Sequence, residues 1–179
     1  LKLQQVAEAA LGEEAGSVVA TNPNNGELLA FVSHPGFDPN SLSEGISART
    51  LFPLLNDKGR PLMNRSIQGQ YPPGSTFKVI MGAALLETKE ADPSQVIRCN
   101  GFMQFGNRAF RDWKKGGHGF VDFRRSMVES CDVYYYQMGN RMGVDTIAKF
   151  SNLFGLGQRT GIALASEKRG LIPSTAWKK

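Results

Sequence analysis

The amino-acid sequence predicts a mixed α/β fold. Apolar residues recur at helical spacing at the start of the chain and again in its second half, whereas two β-rich runs flank a compact turn near residue 25. The 179 residues suffice for one domain with a hydrophobic core, and 41% hydrophobic with 21% charged residues is an ordinary globular composition. We therefore expect helices and short strands around a common core.

The first elements are predicted to be a short amphipathic helix and a β-hairpin. The helix is indicated by apolar residues at helical spacing, namely Leu3, Val6, Ala7, Ala10 and Leu11. The hairpin is indicated by "GSVVATNPNNGELLAFVSHP", in which Asn24, Asn25 and Gly26 can accept positive φ in a tight turn. A polar loop and two weakly patterned segments lead to the next helix.

The middle of the chain is predicted to contain an apolar helix followed by short strands. The stretch "QYPPGSTFKVIMGAALLETKE" predicts a helix with Ser75 as its cap or first-turn residue, because Pro72 and Pro73 rigidify the approach. The stretch "VIRCNGFMQFGNRAFRDW" predicts strands that are separated by turns at residues 100–101 and 106–107.

The last third is predicted to be mostly helical. "VDFRRSMVESCDVYYYQMGNRMG" predicts two helices with a break near Ser130, and "VDTIAKFSNLFGLG" predicts a third helix that ends at Gly155. "TGIALASE" predicts the start of a final extended run. Because a few strands cannot form a stable sheet alone, we expect the chain to represent part of a larger fold.

The charge of the chain argues against some classes of partner. A net charge of +5 and a pI of about 9.4 would fit an anionic partner, but the basic residues are scattered, with short pairs such as Lys114–Lys115. We therefore expect a solvated surface and no nucleic-acid partner. The longest apolar stretch, residues 79–86, is too short to cross a bilayer. Any membrane anchor or export signal is expected outside this sequence.

Ser75 and Lys78 are the first candidate catalytic residues. A lysine in the first turn of a helix lies at the positive end of the dipole, where an acidic residue would be preferred. Lys78 also aligns with apolar Met81 and Leu85, so burial and the dipole both favour its neutral amine. Residues three apart on a helix are neighbours, which places a potential base beside the Ser75 hydroxyl. The alternative is a capping serine followed by an unrelated lysine.

Ser130 and Asp132 are the second pair of candidates. An acyl-transfer site built on serine and lysine needs another hydroxyl to relay a proton to the leaving group, and a polar side chain to hold the substrate. Ser130 and Asp132 offer both at the predicted break between two helices. The alternative is an ordinary pair of N-cap residues that starts the second helix.

Three stretches of the sequence carry a family resemblance, namely "NRSIQGQYPPGSTFKV", "RDWKKGGHGFVDF" and "SCDVYYYQMG". They resemble the transpeptidase domain of class B penicillin-binding proteins, specifically the penicillin-binding protein 2 group of rod-shaped bacteria. The resemblance runs over almost the whole chain. It implies the fold shared by these transpeptidases and the serine β-lactamases, with residues 1–179 forming a partial transpeptidase domain, mainly the helical subdomain and the first strands of the sheet.

The resemblance implies a peptidoglycan D,D-transpeptidase that cross-links stem peptides ending in D-Ala-D-Ala and is acylated by β-lactams. It implies that Ser75 is the nucleophile, Lys78 its base, and Ser130 the proton relay to the leaving D-alanine. Asp132 would bind substrate, although it stands where the wider family usually has asparagine. An ionised carboxylate cannot donate a hydrogen bond, so this role differs from that of an amide.

The resemblance also implies a cellular setting. The parent protein would be anchored in the bacterial inner membrane, with this domain facing the periplasm, and would act in cell-wall biogenesis and cell shape. Its partners would be the membrane-bound polymerase and scaffold proteins of the elongation machinery. Acyl transfer itself would require no cofactor.

The third motif of the resembled family, K-T-G, does not occur in the sequence. In the family its strand lines the cleft and supplies half of the oxyanion hole, and the N–H of the nucleophilic serine supplies the other half. One oxyanion donor is worth about 10²–10³ in rate. We therefore expect the chain to be truncated before that strand and to be inactive by itself.

Cys99, Asp112, His118 and Cys131 are candidate metal ligands. Sulfur, nitrogen and carboxylate ligands suit a tetrahedral Zn²⁺ site, and some members of the resembled group have a structural zinc at the corresponding Asp, His and Cys positions. The spacing of the four residues matches no standard zinc finger. A Cys99–Cys131 disulfide and two unrelated buried thiols are therefore the alternatives.

Two other function classes share part of this chemistry. A serine β-lactamase also needs a carboxylate that activates water for deacylation, and the sequence supplies no such motif. A penicillin-sensing receptor domain would keep Ser75, Lys78 and Ser130 but would signal through a membrane segment. Turnover of a penicillin would distinguish the first alternative, and the flanking sequence the second.

Overall fold

The computed structural model describes residues 1–43 and 47–178. The contacts divide the chain into two compact units: unit 1 is Leu1–Gln70 with Ile162–Lys168, and unit 2 is Tyr71–Gly161 with Arg169–Lys179. Lys179 and residues 44–46 of the loop predicted after the hairpin lie outside the described residues. That residues 1–179 form a partial transpeptidase domain stays a prediction.

Unit 1 is built around a hairpin and the first helix. Its elements are α1 (Lys2–Leu11), β1 (Gly16–Thr21), β2 (Leu28–His34), α2 (Asn40–Ser43), α3 (Ala48–Asn56) and α4 (Arg65–Gln68). Strands β1 and β2 pair antiparallel, and their register shifts between Ala20 and Thr21. Helix α1 packs on the hairpin, where Ala7, Ala30 and Val32 form a small core. The predicted helix and hairpin are confirmed.

The turn of this hairpin is stabilised by asparagine side chains. The Asn22 Oδ1 accepts a hydrogen bond from the N–H of Asn24 at 3.0 Å, and the Asn25 Oδ1 accepts one from the N–H of Glu27 at 3.0 Å. Of the three residues predicted to accept positive φ, Gly26 alone does so, with φ 78°. The asparagines serve the turn through their amide oxygens, which mimic a backbone carbonyl.

Unit 2 contains the remaining elements. After a 3₁₀ helix (Gly74–Phe77) come α5 (Lys78–Thr88), β3 (Ile97–Cys99), β4 (Phe102–Phe105), β5 (Arg108–Arg111), β6 (Gly119–Val121), α6 (Phe123–Val128), α7 (Asp132–Met142), α8 (Val144–Leu153) and α9 (Thr175–Lys178). Strand β3 pairs antiparallel with β6, and β4 pairs antiparallel with β5. The predicted short strands and the break near Ser130 are confirmed.

The core of unit 2 lies between α5 and α7. Helix α5 is apolar on most sides, which is typical of a helix buried among others. Leu85 of α5 and Tyr134 and Met138 of α7 are fully buried. This packing places the first residue of α5, Lys78, against the first residue of α7, Asp132.

Three local predictions differ from the structure. Helix α5 begins at Lys78, and Ser75 lies in the preceding 3₁₀ turn, where no side-chain cap bond is made. Helix α8 ends at Leu153, two residues before Gly155. The extended run predicted from "TGIALASE" is wrong: residues 160–167 form no strand and are irregular, with a bend at Ala163 and a turn at Ala165–Ser166. Gly161 and Ser166 adopt φ values of 87° and 70°. Positive φ interrupts an extended strand.

Candidate active site

Lys78 is the centre of the candidate active site. Its side chain is 11% exposed, and its Nζ donates to the Ser130 carbonyl oxygen at 2.7 Å and to the Ser130 Oγ at 2.9 Å. A third bond joins the Nζ to the Asp132 Oδ1 at 2.6 Å. These contacts use all three donors that an ammonium group possesses. Lys78 is therefore fixed at the break between α6 and α7, 52 residues along the chain from its own position.

Ser130 links Lys78 to Ser75. The Ser130 Oγ lies 2.8 Å from the Ser75 Oγ, so a continuous hydrogen-bond path runs from the Lys78 Nζ through Ser130 to Ser75. The helical spacing predicted that Lys78 lies directly beside the Ser75 hydroxyl. In the described structure the Ser75 hydroxyl instead forms its hydrogen bond with Ser130. The Lys78 Nζ is occupied by Asp132 and by both oxygens of Ser130. Ser75 is exposed, and its hydroxyl can be reached from solvent.

Ser130 adopts an uncommon backbone conformation, with φ 54°. For a residue other than glycine this left-handed conformation costs about 1–2 kcal/mol. The N–H of Ser130 donates to the Met127 carbonyl at 3.3 Å, and its own carbonyl is held by Lys78. These two hydrogen bonds hold the turn in this conformation, in which both oxygens of Ser130 contact Lys78.

Asp132 is the counter-charge of Lys78. Its Oδ1 contacts Lys78, and its Oδ2 accepts a hydrogen bond from the N–H of Trp113 at 3.2 Å. The sequence-based argument on Lys78 included burial and the helix dipole but not this carboxylate. It also missed Trp113, whose indole Nε1 donates to the Glu129 carbonyl at 3.1 Å. Trp113 lies in the stretch "RDWKKGGHGFVDF" that carries the family resemblance, but spacing does not predict its contacts, which are with residues 16 and 19 positions away. The substrate-binding role of Asp132 stays a prediction.

The four predicted metal ligands converge in one buried cluster. Cys99 ends β3, Asp112 follows β5, His118 precedes β6 and Cys131 precedes α7. One ligand atom from each residue lies within 4.8 Å of the others. The Cys99 and Cys131 Sγ atoms lie 3.5 Å and 3.4 Å from the Asp112 Oδ2, and the Cys99 Sγ lies 3.8 Å from the His118 Nδ1. The two cysteines are free thiols and do not form the alternative disulfide.

Two ionisable groups of this cluster have shifted pKa values, and a third group lacks a hydrogen-bond partner. Burial raises the pKa of the Cys131 thiol to about 12. Burial also opposes ionisation of Asp112, but hydrogen bonds from the N–H groups of Val133 and Lys114 and from both thiols together lower the pKa of its carboxyl. The His118 Nε2 is buried without a hydrogen-bond partner, 3.8 Å from the Glu129 Oε2. A carboxylate on the far nitrogen of a ligating histidine is a usual outer partner at metal sites.

Comparison with known proteins identifies the family of the chain. Residues 16–179 match the model of the family described as the penicillin binding protein transpeptidase domain. The peptidoglycan D,D-transpeptidases MrdA of Acinetobacter baumannii and Escherichia coli K12 are each 40% identical to the chain, over 98% and 100% of its length. The chain spans 26% and 29% of the length of these two relatives. These matches place the chain in the class of penicillin-binding protein transpeptidase domains.

Solved structures agree on the fold. The complex of penicillin-binding protein 2 with MreC from Helicobacter pylori has a TM-score of 0.93 and 34% identity, covering 99% of this chain and 33% of that one. The ceftriaxone acyl-enzyme complex of penicillin-binding protein A from Mycobacterium tuberculosis has a TM-score of 0.83 and 30% identity, covering 98% of this chain and 43% of that one. The chain belongs to the penicillin-binding protein transpeptidase family. The predicted fold class and family resemblance are therefore confirmed.

Proposed function

We propose that the protein to which this chain belongs is a peptidoglycan D,D-transpeptidase that forms an acyl-enzyme on Ser75. The observation that carries the proposal is the hydrogen-bond path from the Lys78 Nζ through the Ser130 Oγ to the Ser75 Oγ. A hydroxyl joined to an amine through a second hydroxyl can lose its proton as it attacks a carbonyl. The 40% identity to the MrdA transpeptidases supports the same conclusion.

The reaction follows from these contacts. The Ser75 Oγ attacks the carbonyl carbon of the penultimate D-alanine, its proton passes to the Ser130 Oγ, and the Ser130 proton passes to the Lys78 amine. For this step the Lys78 ammonium must first lose one proton to solvent, and the two hydroxyls must reorient so that Ser75 donates to Ser130. The amide C–N bond then breaks, and the terminal D-alanine leaves with a proton from the Ser130 hydroxyl, which Lys78 replenishes. An amine of a neighbouring stem attacks the ester carbon, forms the cross-link and returns the serine. A β-lactam would undergo the first step and remain attached as an opened ring.

Asp132 has a positioning role in this scheme. As a carboxylate 2.6 Å from the Lys78 Nζ, it holds the amine against Ser130. Its second oxygen is occupied by the N–H of Trp113. A carboxylate can accept about four hydrogen bonds, and the contacts with Lys78 and Trp113 use two of them. The substrate-binding role that the family resemblance implies would use the remaining lone pairs of Asp132.

A labelling experiment on the complete protein tests the proposed reaction. Fluorescent penicillin should label one site, mass spectrometry should place the adduct on Ser75, and a pentapeptide ending in D-Ala-D-Ala should release D-alanine. Ser75→Ala should abolish labelling and keep the fold, since Ser75 is exposed and caps no helix. Rapid turnover of penicillin would favour the β-lactamase alternative. A stable adduct without any release of D-alanine would favour the sensor alternative.

We propose further that Cys99, Asp112, His118 and Cys131 hold a structural Zn²⁺. Two sulfurs, a nitrogen and a carboxylate oxygen are a known type of zinc ligand set, and the four residues already lie together in the fold. A zinc ion there would stabilise the fold and would take no part in acyl transfer. Elemental analysis of protein purified without added metal or chelator should find one zinc per chain. Far less than one zinc per chain, with both thiols reactive under denaturing conditions, would contradict the zinc site. That result would support the alternative in which Cys99 and Cys131 are two unrelated buried thiols.

The setting of the protein is also a proposal. No helix among the described residues is both long and apolar enough to cross a bilayer. We propose that the complete protein is held in the inner membrane, faces the periplasm and assembles with the polymerase and scaffold proteins of the elongation machinery. The solved complex of penicillin-binding protein 2 with MreC from Helicobacter pylori supports the part of this proposal that concerns assembly with a protein partner. Membrane fractionation and affinity purification of the complete protein test it. Recovery in the cytoplasmic fraction would contradict it.

A further inference from the structure

Positive charge is concentrated on the segment from β3 to the loop before β6. This segment carries five cationic side chains and a single carboxylate, that of Asp112; the cations are Arg98, Arg108, Arg111, Lys114 and Lys115. Asp112 is buried in the cysteine cluster, and within residues 1–43 and 47–178 none of the five cations forms an ion pair. The segment therefore presents unneutralised positive charge.

Two of these cations line a cavity of about 520 Å³. Arg111 and Lys115 line it together with Asn100, Phe102, Trp113 and the buried Asp112, whose carboxylate is already engaged by the two cysteine thiols and by two backbone N–H groups. Phe102 and Trp113 are 51% and 64% exposed, respectively. A cavity of this size, with apolar walls and a few convergent polar groups, is typical of a small-molecule or peptide site.

The walls of the cavity are fixed before any ligand binds. The N–H of Asp112 donates to the Gly101 carbonyl at 2.8 Å, and the Trp113 indole is tied to the Glu129 carbonyl. Gly117 lies so close to β3 that an added Cβ would stand 2.1 Å from the Cys99 carbonyl oxygen. A ligand that binds a preformed cavity does not have to order a loop. Less of the interaction free energy is therefore lost, and the affinity is higher.

Trp113 joins this cavity to the candidate active site. Its ring is part of the cavity wall, while its backbone N–H donates to Asp132, the counter-charge of Lys78. A chain of contacts through Asp132, Lys78 and Ser130 therefore links the cavity lining to Ser75. The catalytic residues themselves do not line it.

We propose that this cavity binds a carboxylate-bearing part of the stem peptide whose D-Ala-D-Ala end reaches Ser75. The guanidinium of Arg111 and the ammonium of Lys115 supply charge-assisted hydrogen bonds to a carboxylate, and the Asn100 amide adds a neutral donor. The rings of Phe102 and Trp113 cover the apolar atoms of the same segment. The proposal rests on the proposed transpeptidase function, because it assumes that the peptide is bound at Ser75.

A competition experiment on the complete protein tests the cavity. Two pentapeptides ending in D-Ala-D-Ala, one with a free side-chain carboxylate and one with that group amidated, compete with fluorescent penicillin for Ser75. We expect the carboxylated peptide to compete more strongly. In the double variant Arg111→Gln/Lys115→Gln, competition by the carboxylated peptide should be about tenfold weaker. Hydrogen bonds to charged groups are among the stronger ones, and this variant removes them. Competition by the amidated peptide should not change.

The matched control is Arg108→Gln with Lys114→Gln. It removes the same charge from the same segment, but neither residue lines the cavity. An equal loss in both double variants would mean that long-range charge attracts the peptide, and would overturn the cavity as a site. Equal competition by the two peptides in the wild type would overturn it as well. If the Arg111/Lys115 variant fails to fold, Lys115→Gln alone should still weaken only the carboxylated peptide.

Failure of this proposal can be distinguished from failure of the proposed function. Penicillin alone is first added to every variant, and its rate of labelling Ser75 should be the same in all of them because the cavity variants keep Ser75, Lys78 and Ser130. Labelling without discrimination between the peptides would overturn the cavity only. An absence of labelling in the wild type would overturn the transpeptidase function, and the cavity proposal with it.

Discussion

Ser130 uses its backbone and its side chain for two separate contacts with Lys78. Its carbonyl accepts one bond from the Lys78 Nζ and its hydroxyl accepts another, while the same hydroxyl donates to Ser75. Its positive φ brings the two oxygens to the same side of the turn. Loss of the hydroxyl and relief of the backbone strain should therefore have different effects.

Replacing Ser130 by glycine and by alanine separates these effects. Both variants lose the relay hydroxyl, so acylation of the complete protein by penicillin should fall by about 10²-fold or more in each. Glycine accepts a φ of 54° without strain, so Ser130→Gly should be more stable than Ser130→Ala by about 0.5–1 kcal/mol. Denaturant unfolding measures this difference. Equal stabilities would contradict the left-handed conformation at this residue.

Replacing Lys78 tests whether it acts as a base or only as a fixed charge. Lys78→Arg keeps a cation opposite Asp132. A guanidinium stays protonated at neutral pH, so it cannot accept a proton as a base. We expect Lys78→Arg to lose nearly as much acylation as Lys78→Ala. The rate of labelling by fluorescent penicillin measures both, with circular dichroism as the control for folding. Substantial labelling in the arginine variant would show that charge alone suffices.

The loop between β5 and β6 connects the cysteine cluster to the active site. It carries Asp112 and His118 at its two ends and Trp113 beside the first. Gly116 and Gly117 have nearly the same φ, 82° and 80°, but their surroundings differ. An added Cβ at Gly116 meets nothing within 4 Å, whereas at Gly117 it would overlap the backbone of residues 99–101.

These two glycines provide a matched pair of substitutions. Gly116→Ala should cost about 1–2 kcal/mol of stability, the penalty of a left-handed backbone alone. Gly117→Ala should cost clearly more, because the loop must move away from β3, and it should also slow acylation by displacing Trp113 from Asp132. Thermal unfolding and penicillin labelling of the complete protein measure both effects. Equal losses in the two variants would mean that the loop does not pack against β3 as the structure describes.

At the scale of the whole molecule, the site residues and the cysteine cluster all lie within unit 2. The cluster joins residues from 99 to 131, so a metal there would stabilise much of that unit at once. Stability and activity should therefore respond together to the state of the cluster.

Removal of metal should lower the stability of the complete protein. A chelator should reduce its melting temperature and its rate of acylation, because a structural zinc contributes directly to the free energy of unfolding. A reductant alone should change neither. Cys131→Ser and His118→Ala should each reproduce the loss and should make the chelator ineffective. A melting temperature that does not respond to chelator in the wild type would contradict the zinc site.

The activity of residues 1–179 alone is a separate prediction. The sequence contains no K-T-G motif, whose strand supplies an oxyanion donor in the family. Because one such donor is worth about 10²–10³ in rate, this polypeptide should be labelled by penicillin far more slowly than the complete protein. Second-order acylation rates of the two proteins measure the difference. Equal rates would contradict the prediction.

The sequence by itself determined most of the local elements, and it predicted which residues are candidates for catalysis. The hairpin, the short strands and the break near Ser130 follow from turn residues and hydrophobic spacing, which act over a few positions. Ser75, Lys78, Ser130 and Asp132 were likewise recognisable from motifs. Local signals failed at "TGIALASE", where Gly161 and Ser166 adopt positive φ that the surrounding residues do not indicate.

Only the tertiary structure decided how those residues contact one another. It made Asp132 the partner of Lys78, inserted Ser130 between Lys78 and Ser75, and added Trp113 to the site. It also brought Cys99 to Asp112, and it placed Arg111 and Lys115 at a cavity. Residues dozens of positions apart become neighbours through the packing of α5 on α7 and of the loop on β3. Because that packing depends on contacts distant in sequence, periodicity and motif spacing carry no information about it.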